Sequence, residues 1–220
     1  SDVYKRQGSG GSVPVQAQPA PQAAIISASG KPIAFERELG RGSYGVVYRG
    51  SLAGQAVAIK RFAVAALEGK LLTDFISEAK VMLEFKSEQL VKLYDLVMMP
   101  NNYCLIMELM PHGSLWDLLH SSQVLPMDKQ ISIAMDVAQG LQALHDHGIV
   151  HRDLKSLNVL IGDGLRAKLA DFGLAKVKSH VSTSATSTNF VGTLAWLAPE
   201  IVHSKVSHSC ATDMYSFGLV

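Results

Sequence analysis

The sequence predicts an α+β fold with two lobes, because its first half has the pattern of strands and its second half the pattern of helices. From residue 33 to residue 60, short apolar and β-branched runs are separated by glycine-containing turns, as in a meander of antiparallel strands. Beyond residue 113 the apolar residues recur at helical spacing. The spacing of apolar residues changes from that of strands to that of helices at residues 108–113, and we expect the two lobes to meet there.

The small lobe is expected over residues 31–110, as an antiparallel sheet of five strands with one helix. Three strands follow one another between residues 33 and 60, and two more fit residues 90–98 and 103–109. Between these groups, residues 71–86 carry apolar side chains at helical spacing, which predicts the one helix of this lobe.

The large lobe is expected over residues 111–220 and should be mainly helical. Residues 114–120 predict a short helix, and residues 128–147 predict a long amphipathic helix. Residues 1–30 are expected to be a disordered linker, because their Gly, Ser, Pro, Gln and Ala offer too little apolar area to offset the entropy of ordering. Residues 1–7 resemble translated adapter sequence, an artefact, and are left out of the fold prediction.

Composition excludes several classes of function. A chain of 220 residues with 48% apolar residues can bury a core, and its net charge of +1 gives no footprint for nucleic acid or for an anionic membrane. No apolar run approaches the ~20 residues that cross a bilayer. Cys104 and Cys210 are too few for a disulfide framework, so we expect reduced thiols and a cytoplasmic setting.

A glycine-rich turn follows the first predicted strand in the pattern G-x-G-x-x-G. Its sequence is Gly40-Arg41-Gly42-Ser43-Tyr44-Gly45, and the pattern alone is equally typical of an ordinary turn. Because the turn leads into another strand rather than into a helix, a dinucleotide-binding loop is disfavoured. Between antiparallel strands, such a turn can place backbone N–H groups over the phosphates of a nucleotide.

Lys60 ends the third predicted strand and can supply a cation to those phosphates. A lysine in this role needs a carboxylate that holds it in place. Glu78 on the predicted helix is the candidate, with Glu84 as the alternative. Without the glycine-rich turn nearby, Lys60 would be interpreted as a surface lysine and Glu78 as part of a solvated helix face.

Two motifs in the large lobe are the most specific in the chain. The first is His151-Arg152-Asp153-Leu154-Lys155-Ser156-Leu157-Asn158, and the second is Asp171-Phe172-Gly173. In this order, together with the glycine-rich turn and Lys60, they resemble the eukaryotic protein kinase family over about residues 33–220. The resemblance implies the bilobal protein-kinase fold and transfer of the γ-phosphoryl group of Mg-ATP to a protein hydroxyl.

The resemblance implies a role for each residue of the motifs. The catalytic residues would be Asp153, Lys155, Lys60 and Glu78, and the Mg²⁺ ligands would be Asn158 and Asp171. Asp153 would accept the proton of the substrate hydroxyl, and Lys155 would neutralise charge on the transferred group. His151 and Phe172 are expected to pack rather than to react.

The same resemblance implies a nucleotide site between the lobes. Its residues would be Leu39, Gly40, Gly42, Gly45, Val46, Val47, Ala58, Lys60, Met107, Glu108, Met110 and Leu160. The adenine ring of ATP would be sandwiched by Val46, Ala58 and Leu160. Met107 would gate the back of the pocket, and the backbone of Glu108 and Met110 would hydrogen-bond the edge of the base.

Residues near the acceptor site resemble serine/threonine kinases, and most of all their tyrosine-kinase-like branch. Lys155 lies two residues after Asp153, where tyrosine kinases usually have Ala or Arg. Gly192-Thr193 precedes Trp196-Leu197-Ala198-Pro199-Glu200, in which Leu197 stands where Met is usual. The implied partner is a protein substrate with a Ser or Thr acceptor, in intracellular signalling.

Two other functions stay open from the sequence. One is a pseudokinase that binds nucleotide or acts as a scaffold without turnover, and the presence of Lys60, Asp153, Asn158 and Asp171 argues against it. The other is a kinase-like enzyme that acts on small molecules, and the sequence from Ala198 to Glu200 argues against that. Mg-dependent phosphate incorporation into protein, followed by phosphoamino-acid analysis, separates the three functions.

The resemblance also implies how the catalytic loop is regulated and held. Arg152 would pair with a phosphorylated residue of the following loop, whose hydroxyl residues are Ser179, Ser182, Thr183, Ser184, Thr186, Ser187 and Thr188. Asp213 would hydrogen-bond the backbone of His151 and Arg152. Because Val220 lies within what resembles the central helix of the lobe, residues 1–220 alone are expected to form an incomplete large lobe without kinase activity.

Overall fold

A computed structural model describes residues 25–42, 45–62, 70–99, 102–172, 194–203 and 207–220. The small lobe has strands β1 (Ile25–Ile26), β2 (Pro32–Gly42), β3 (Gly45–Leu52), β4 (Gln55–Phe62), β5 (Leu93–Met99) and β6 (Asn102–Met107), and helix α1 (Lys70–Glu84). The large lobe has helices α2 (Leu115–Leu119), α3 (Met127–His145), α4 (Pro199–His203) and α5 (Cys210–Phe217), and strands β7 (Val159–Ile161) and β8 (Ala167–Leu169). Short 3-10 turns lie at Ser156–Asn158, Asp163–Leu165 and Leu194–Trp196.

The strands of the small lobe form one antiparallel sheet in the order β1-β2-β3-β4-β6-β5. This sheet has six strands where the sequence predicts five, because Ile25 and Ile26 pair with Ile33 and Pro32 of β2. These two residues belong to the stretch that was expected to be a linker. A strand of two residues is too short to show the alternating pattern by which strands are predicted.

The turn after β1 is held by β5, the strand at the other edge of the sheet. Ala28 N–H donates to the Leu96 carbonyl at 2.7 Å, and the Ser29 hydroxyl donates to the carboxylate of Asp95. Burial of Asp95 opposes its ionisation, but hydrogen bonds from Ser27, Ser29 and the Leu96 N–H hold its pKa below the ordinary value. The sheet is therefore curved, and hydrogen bonds join the turn after β1, at one edge, to β5 at the other.

Both faces of the sheet are buried at β5 and β6, where alternate residues serve the two faces. Leu96 and Leu105 belong to the main apolar cluster, which also contains Phe75 of α1. Val97 and Ile106 belong to a second cluster on the other face. Because both faces are buried, the sequences of these strands are nearly continuous apolar runs rather than alternating apolar and polar residues.

Helix α3 lies at the centre of the large lobe. Its buried residues recur along one face and are Ile133, Asp136, Val137, Gly140, Leu141 and Leu144. Gly140 permits a close approach to the neighbouring chain, because a Cβ there would lie 3.1 Å from the Gln89 carbonyl oxygen. Asp136 accepts hydrogen bonds from the Arg166 side chain at 2.7 Å and from the Ala167 N–H at 2.9 Å. None of the described helices is long and apolar enough to cross a bilayer.

The two lobes are joined where residues 89–91 run beside β8. Leu169 N–H donates to the Gln89 carbonyl at 2.8 Å, and Val91 N–H donates to the Leu169 carbonyl at 2.9 Å. Beside these bonds, the ammonium of Lys168 lies 2.7 Å from a carboxylate oxygen of Glu108. The lobes therefore meet along residues 89–91 and β8, and the predicted boundary at residues 108–113 stays a prediction.

Substitution of Gly45 by alanine should destabilise the small lobe. Gly45 has a φ of +149°, and a Cβ on it would lie 2.0 Å from the Arg61 carbonyl oxygen of β4. A strained backbone of this kind costs about 1–3 kcal/mol. For a protein of this size, each kcal/mol lost from the free energy of unfolding lowers the melting temperature by about 2–4 °C. We therefore expect differential scanning calorimetry to show a melting temperature that is lower by several degrees.

Gly40→Ala is the matched control, because Gly40 belongs to the same turn and a Cβ there would have no atom within 4 Å. The melting temperature of this control should stay close to that of the unmodified protein. Equal losses of stability in the two variants would contradict the steric argument at Gly45.

Candidate active site

A cleft of about 300 Å³ lies between the two lobes. The small lobe contributes Val47 and Ala58 to its wall, and the large lobe contributes Leu160 and Ala170. Residues 107–110 close one side, at the connection between the lobes. Aliphatic side chains form much of the lining. Lys60, Asn158 and Asp171 contribute polar groups, and their part of the cleft is called its polar end below.

Most residues that the sequence assigns to a nucleotide site line this cleft. They are Leu39, Gly40, Val47, Ala58, Lys60, Met107, Glu108, Met110 and Leu160. Gly42, Gly45 and Val46 are not among the described lining residues. Val46 precedes Val47 on β3, and successive residues of a strand face opposite sides. The position of Val46 against adenine therefore stays a prediction.

The cleft also has lining residues that the sequence did not suggest, and Ser114 and Asp117 are the polar ones. Ser114 caps α2, and its N–H and hydroxyl donate to a carboxylate oxygen of Asp117 at 3.0 and 2.6 Å. The signal in the sequence was the spacing S-x-x-D before an apolar run, which indicates a helix start. That spacing does not indicate that the start of the helix will line the cleft.

Lys60 and Asp171 form a close ion pair at the polar end of the cleft. The Lys60 ammonium lies 2.6 and 2.5 Å from the two carboxylate oxygens of Asp171, and Lys60 is only 8% exposed. The sequence suggested Glu78 as the carboxylate that holds Lys60. Glu78 lies on α1, and one of its carboxylate oxygens is buried, so its role beside Lys60 stays a prediction.

The catalytic loop, residues 151–158, places two polar side chains, those of Lys155 and Asn158, against Asp153. Lys155 Nζ donates to one carboxylate oxygen of Asp153 at 3.0 Å, and Asn158 Nδ2 donates to the other oxygen at 3.0 Å. Asn158 Nδ2 also donates to the Asp153 carbonyl at 2.6 Å. Both oxygens of the Asp153 carboxylate are therefore held in defined positions.

Asp213 anchors the start of this loop, as the resemblance implied. Its carboxylate, 1% exposed, accepts hydrogen bonds from the N–H groups of His151 at 2.7 Å and Arg152 at 2.9 Å. His145 Nε2 also donates to it, at 2.8 Å. His151 is fully buried and donates to the Ala170 carbonyl at 3.1 Å, so its predicted packing role is confirmed.

Arg152 is partly buried and lies in the same region as His208 and the carboxylates of Asp153 and Asp213. Its backbone has a φ of +67°, and its Nε is buried without a hydrogen-bond partner among the described residues. Burial lowers the pKa of nearby His208, and the positive charge of Arg152 lowers it further. The hydroxyl residues from Ser179 to Thr188, which were expected to offer a phosphorylated partner, lie outside the described residues.

Asn158 and Asp171 fit the requirements of a Mg²⁺ ion. Both line the cleft, and each has a side-chain oxygen of the kind that Mg²⁺ prefers. Because Asn158 uses Nδ2 to bind Asp153, its Oδ1 is the atom suited to a cation. The described residues contain no cluster of three or more His, Cys, Asp or Glu for a metal. A site with two protein ligands therefore needs further oxygens, such as those of phosphate and water.

Comparison with known proteins gives consistent matches over most of the chain. Residues 33–220 match the family model described as the protein kinase domain. Serine/threonine-protein kinase STY46 of Arabidopsis thaliana is 33% identical over 192 residues, which are 86% of this chain and 32% of that protein. Serine/threonine-protein kinase CTR1 of the same plant is 34% identical over 191 residues, 84% of this chain and 23% of that protein. The chain thus spans less than a third of the length of these curated relatives.

Asp213→Asn should loosen the catalytic loop. An amide presents one oxygen where the carboxylate presents two, so one of the His151 and Arg152 N–H groups loses its acceptor, at a cost of about 1–3 kcal/mol. We expect the amide hydrogens of these two residues to exchange about ten times faster or more. Hydrogen exchange followed by mass spectrometry measures this. Asp163→Asn, an exposed aspartate outside the loop, should leave the exchange unchanged, and equal protection in both variants would contradict the anchoring role.

Proposed function

This chain belongs to the protein kinase family, and we propose that it transfers the γ-phosphoryl group of Mg-ATP to a Ser or Thr hydroxyl of a protein substrate. The observation that carries the proposal is the placement of Asp153, Lys155 and Asn158 in one hydrogen-bonded group next to the Lys60–Asp171 pair of the cleft. The relatives STY46 and CTR1 are named serine/threonine-protein kinases, which supports Ser or Thr as the acceptor.

The adenine ring would lie between the aliphatic walls of the cleft. Val47 and Ala58 would contact one face of the ring and Leu160 the other, and Val47 takes the place that the sequence gave to Val46. Apolar contact on both faces of a flat base suits the shape of the cleft. Because these three side chains have no hydrogen-bonding groups, they would position the base without recognising its edge.

The edge of the base would be recognised by the backbone that joins the lobes. Glu108 N–H already donates to the Lys92 carbonyl at 2.9 Å, so the Glu108 carbonyl is the group of this residue that can accept from the base. Met110 would donate its N–H. The side chain of Met107, also in the lining, would limit the depth of the pocket.

The phosphates would bind at the polar end of the cleft. Lys60 and Asp171 are in contact, so a single ligand can reach both, and Lys60 would donate to the α and β phosphates. Asn158 and Asp171 would hold Mg²⁺, which neutralises phosphate charge during transfer. Glu78 is proposed as a second carboxylate that orients Lys60 once phosphate is bound.

Asp153 would act as the base in the transfer step. It would take the proton of the acceptor hydroxyl while that oxygen bonds to the γ-phosphorus and the bond from phosphorus to the β–γ bridging oxygen breaks. The donors on Lys155 and Asn158 keep the carboxylate in place for this step. Lys155 also brings a positive charge next to the group being transferred.

We further propose that phosphorylation of the segment between Asp171 and Glu200 raises activity. The support is the buried Nε of Arg152, which finds no acceptor among the described residues. A phosphate from this segment could accept hydrogen bonds from the Arg152 guanidinium and so order the surface on which a protein substrate binds.

A cytoplasmic setting is proposed from the state of the two cysteines. Neither is in a disulfide. Burial raises the pKa of the Cys104 thiol to about 12, so this thiol stays protonated and unreactive. Cys210 is exposed and free, which suits a compartment that keeps thiols reduced.

Asp153→Asn should lower kcat by about 10²–10⁴-fold, the usual contribution of a general base, while the Kd for Mg-ATP changes little. Lys60→Met should instead weaken Mg-ATP binding and also abolish transfer, because Lys60 contacts phosphate. Phosphate transfer to a protein substrate and calorimetric titration of nucleotide, both with the full-length protein, separate the two effects.

Asp163→Asn and Lys80→Met are the controls for charge and residue type, since both side chains are exposed and lie outside the cleft. Both control proteins should transfer phosphate at the unmodified rate. If the Asp153→Asn protein kept near-normal kcat, Asp153 would not be the base. Tight nucleotide binding without transfer by the unmodified protein would favour a pseudokinase.

Phosphatase treatment of the active full-length protein should lower its kinase activity about tenfold, because hydrogen bonds to charged groups contribute about 1.5–3 kcal/mol. An Arg152→Ala protein should have low activity that phosphatase no longer changes. Arg37→Ala, at an exposed position of β2, should remain sensitive to phosphatase. If the protein without any substitution had the same rate before and after complete dephosphorylation, this regulation would be excluded.

A further inference from the structure

A short segment at the start of the small lobe reaches across its sheet from one edge to the other. Residues 25–31, called the N-terminal clasp below, consist of β1 and the turn after it, and they precede the residues that match the protein kinase domain. Ile25 and Ile26 pair with the start of β2 at one edge of the sheet. At the other edge, Ala28 N–H donates to the Leu96 carbonyl of β5 at 2.7 Å. The proposed transfer step uses none of these residues.

Hydrogen bonds within the turn fix its shape and enclose one of its two hydroxyl groups. Lys31 N–H donates to the Ser27 hydroxyl at 3.0 Å, and Ser27 N–H donates to the Lys31 carbonyl at 2.9 Å. Gly30 has a φ of +82°, which glycine adopts without steric cost. Ser27 is 6% exposed, whereas Ser29 lies in the exposed part of the turn. Ser29 therefore presents the accessible hydroxyl of the N-terminal clasp.

The Ser29 hydroxyl joins the N-terminal clasp to a buried carboxylate. It donates to Asp95 of β5, which is only 5% exposed. Burial opposes the ionisation of Asp95, but hydrogen bonds from hydroxyl and N–H groups hold its pKa below the ordinary value. The donors that favour the ionised carboxylate are all neutral. The contact therefore depends on the ability of Ser29 to donate a proton to a negative charge.

A phosphate on Ser29 would turn this attraction into a repulsion. Phosphoserine carries about −1.5 to −2 charges at pH 7, and its ester oxygen has no proton to donate. The new charge would lie next to the ionised carboxylate of Asp95, which is shielded from water. Like charges repel more strongly in such a place than in bulk water. The bond that ties the turn to β5 would be lost.

The N-terminal clasp can open without exposing much of the core. Five of its seven residues are exposed, and β1 has only two residues. Ile25 is partly buried at the margin of the apolar cluster that contains Val97 and Ile106. Segments that bury little apolar surface open at a low cost in free energy. A modifying enzyme can therefore reach this turn and bind it in an opened conformation.

We propose that Ser29 is a phosphorylation site and that a phosphate on it releases the N-terminal clasp from β5. The phosphoryl donor is ATP bound to a protein kinase that takes this turn as its substrate. Ser29 Oγ bonds to the γ-phosphorus, the bond from that phosphorus to the β–γ bridging oxygen breaks so that ADP leaves, and the hydroxyl proton passes to a carboxylate of that kinase. The proposal does not depend on the function proposed for this chain, because any protein kinase could supply the step.

Phosphopeptide mapping tests whether the site is used. The full-length protein is purified from its own cells with phosphatases inhibited, and mass spectrometry identifies the modified residues of the peptide that contains Ser27 and Ser29. We expect phosphate on Ser29 and none on Ser27, since the Ser27 side chain is enclosed. Recovery of this peptide without phosphate on Ser29 would overturn the proposal.

Hydrogen exchange tests what the phosphate does. Phosphoserine is incorporated at position 29 during synthesis of the full-length protein, and mass spectrometry follows the amides of residues 25–31. We expect these amides to exchange about ten times faster or more than with serine, because a hydrogen bond to a charged group is lost and a repulsion is added. Ser29→Ala loses the bond without adding charge, so its exchange should be faster than with serine and slower than with phosphoserine.

Phosphoserine at position 122 is the matched control, because Ser122 is an exposed serine of the large lobe, between α2 and α3. It adds the same charge and should leave the exchange of residues 25–31 unchanged. Equal exchange with serine and with phosphoserine at position 29 would overturn the release of the N-terminal clasp. The amides of α3 should keep their exchange rates in all variants. Faster exchange of α3 with phosphoserine at position 29 would mean general unfolding and would also overturn the proposal.

Discussion

The carboxylate of Asp213 is the contact on which the geometry of the active site depends. It lies at 1% exposure and accepts hydrogen bonds from two successive backbone N–H groups and from His145. One of those N–H groups belongs to Arg152, which has a φ of +67°. A residue with a side chain adopts this φ only when its surroundings hold it there. Asp153 follows immediately, so the position of the proposed base is set from α5. The same helix fixes the Trp196 carbonyl through Ser216, and a small region of the large lobe therefore supports both the catalytic loop and the adjoining surface.

The cleft itself depends on contacts between the lobes. The Lys60–Asp171 pair links β4 to the end of β8 through charges that are largely withdrawn from water, and buried charges of this kind need a partner. Glu108 and Lys168 make a second pair at the connection between the lobes. Between the two pairs, apolar residues such as Val47 and Leu160 face each other across the cleft. These contacts together hold the lobes on either side of the cleft.

The local parts of this structure could be predicted from the sequence, because they depend on neighbouring residues. Helix α3, expected at residues 128–147, spans Met127–His145, since the apolar period that predicts it also buries its face. The grouping of Asp153 with Asn158 follows from a loop that brings positions five apart together. Most of the expected nucleotide residues line the cleft for a related reason, because the motifs that suggested them each form one strand, turn or loop.

Contacts between distant parts of the chain were decided only by the tertiary structure. The sequence assigned Lys60 and Asp171 to separate roles, and only the tertiary structure brings these residues, 111 positions apart, into one close pair. The presence of Ser114 in the cleft and the meeting of Trp116 with Trp196 had no signal beyond a helix cap and two aromatic residues. A residue pattern specifies which face of an element is apolar and where the element ends, and so it determined the lobes and the catalytic loop. It does not specify which faces and ends will be packed together, since that follows from burial and pairing summed over the whole chain.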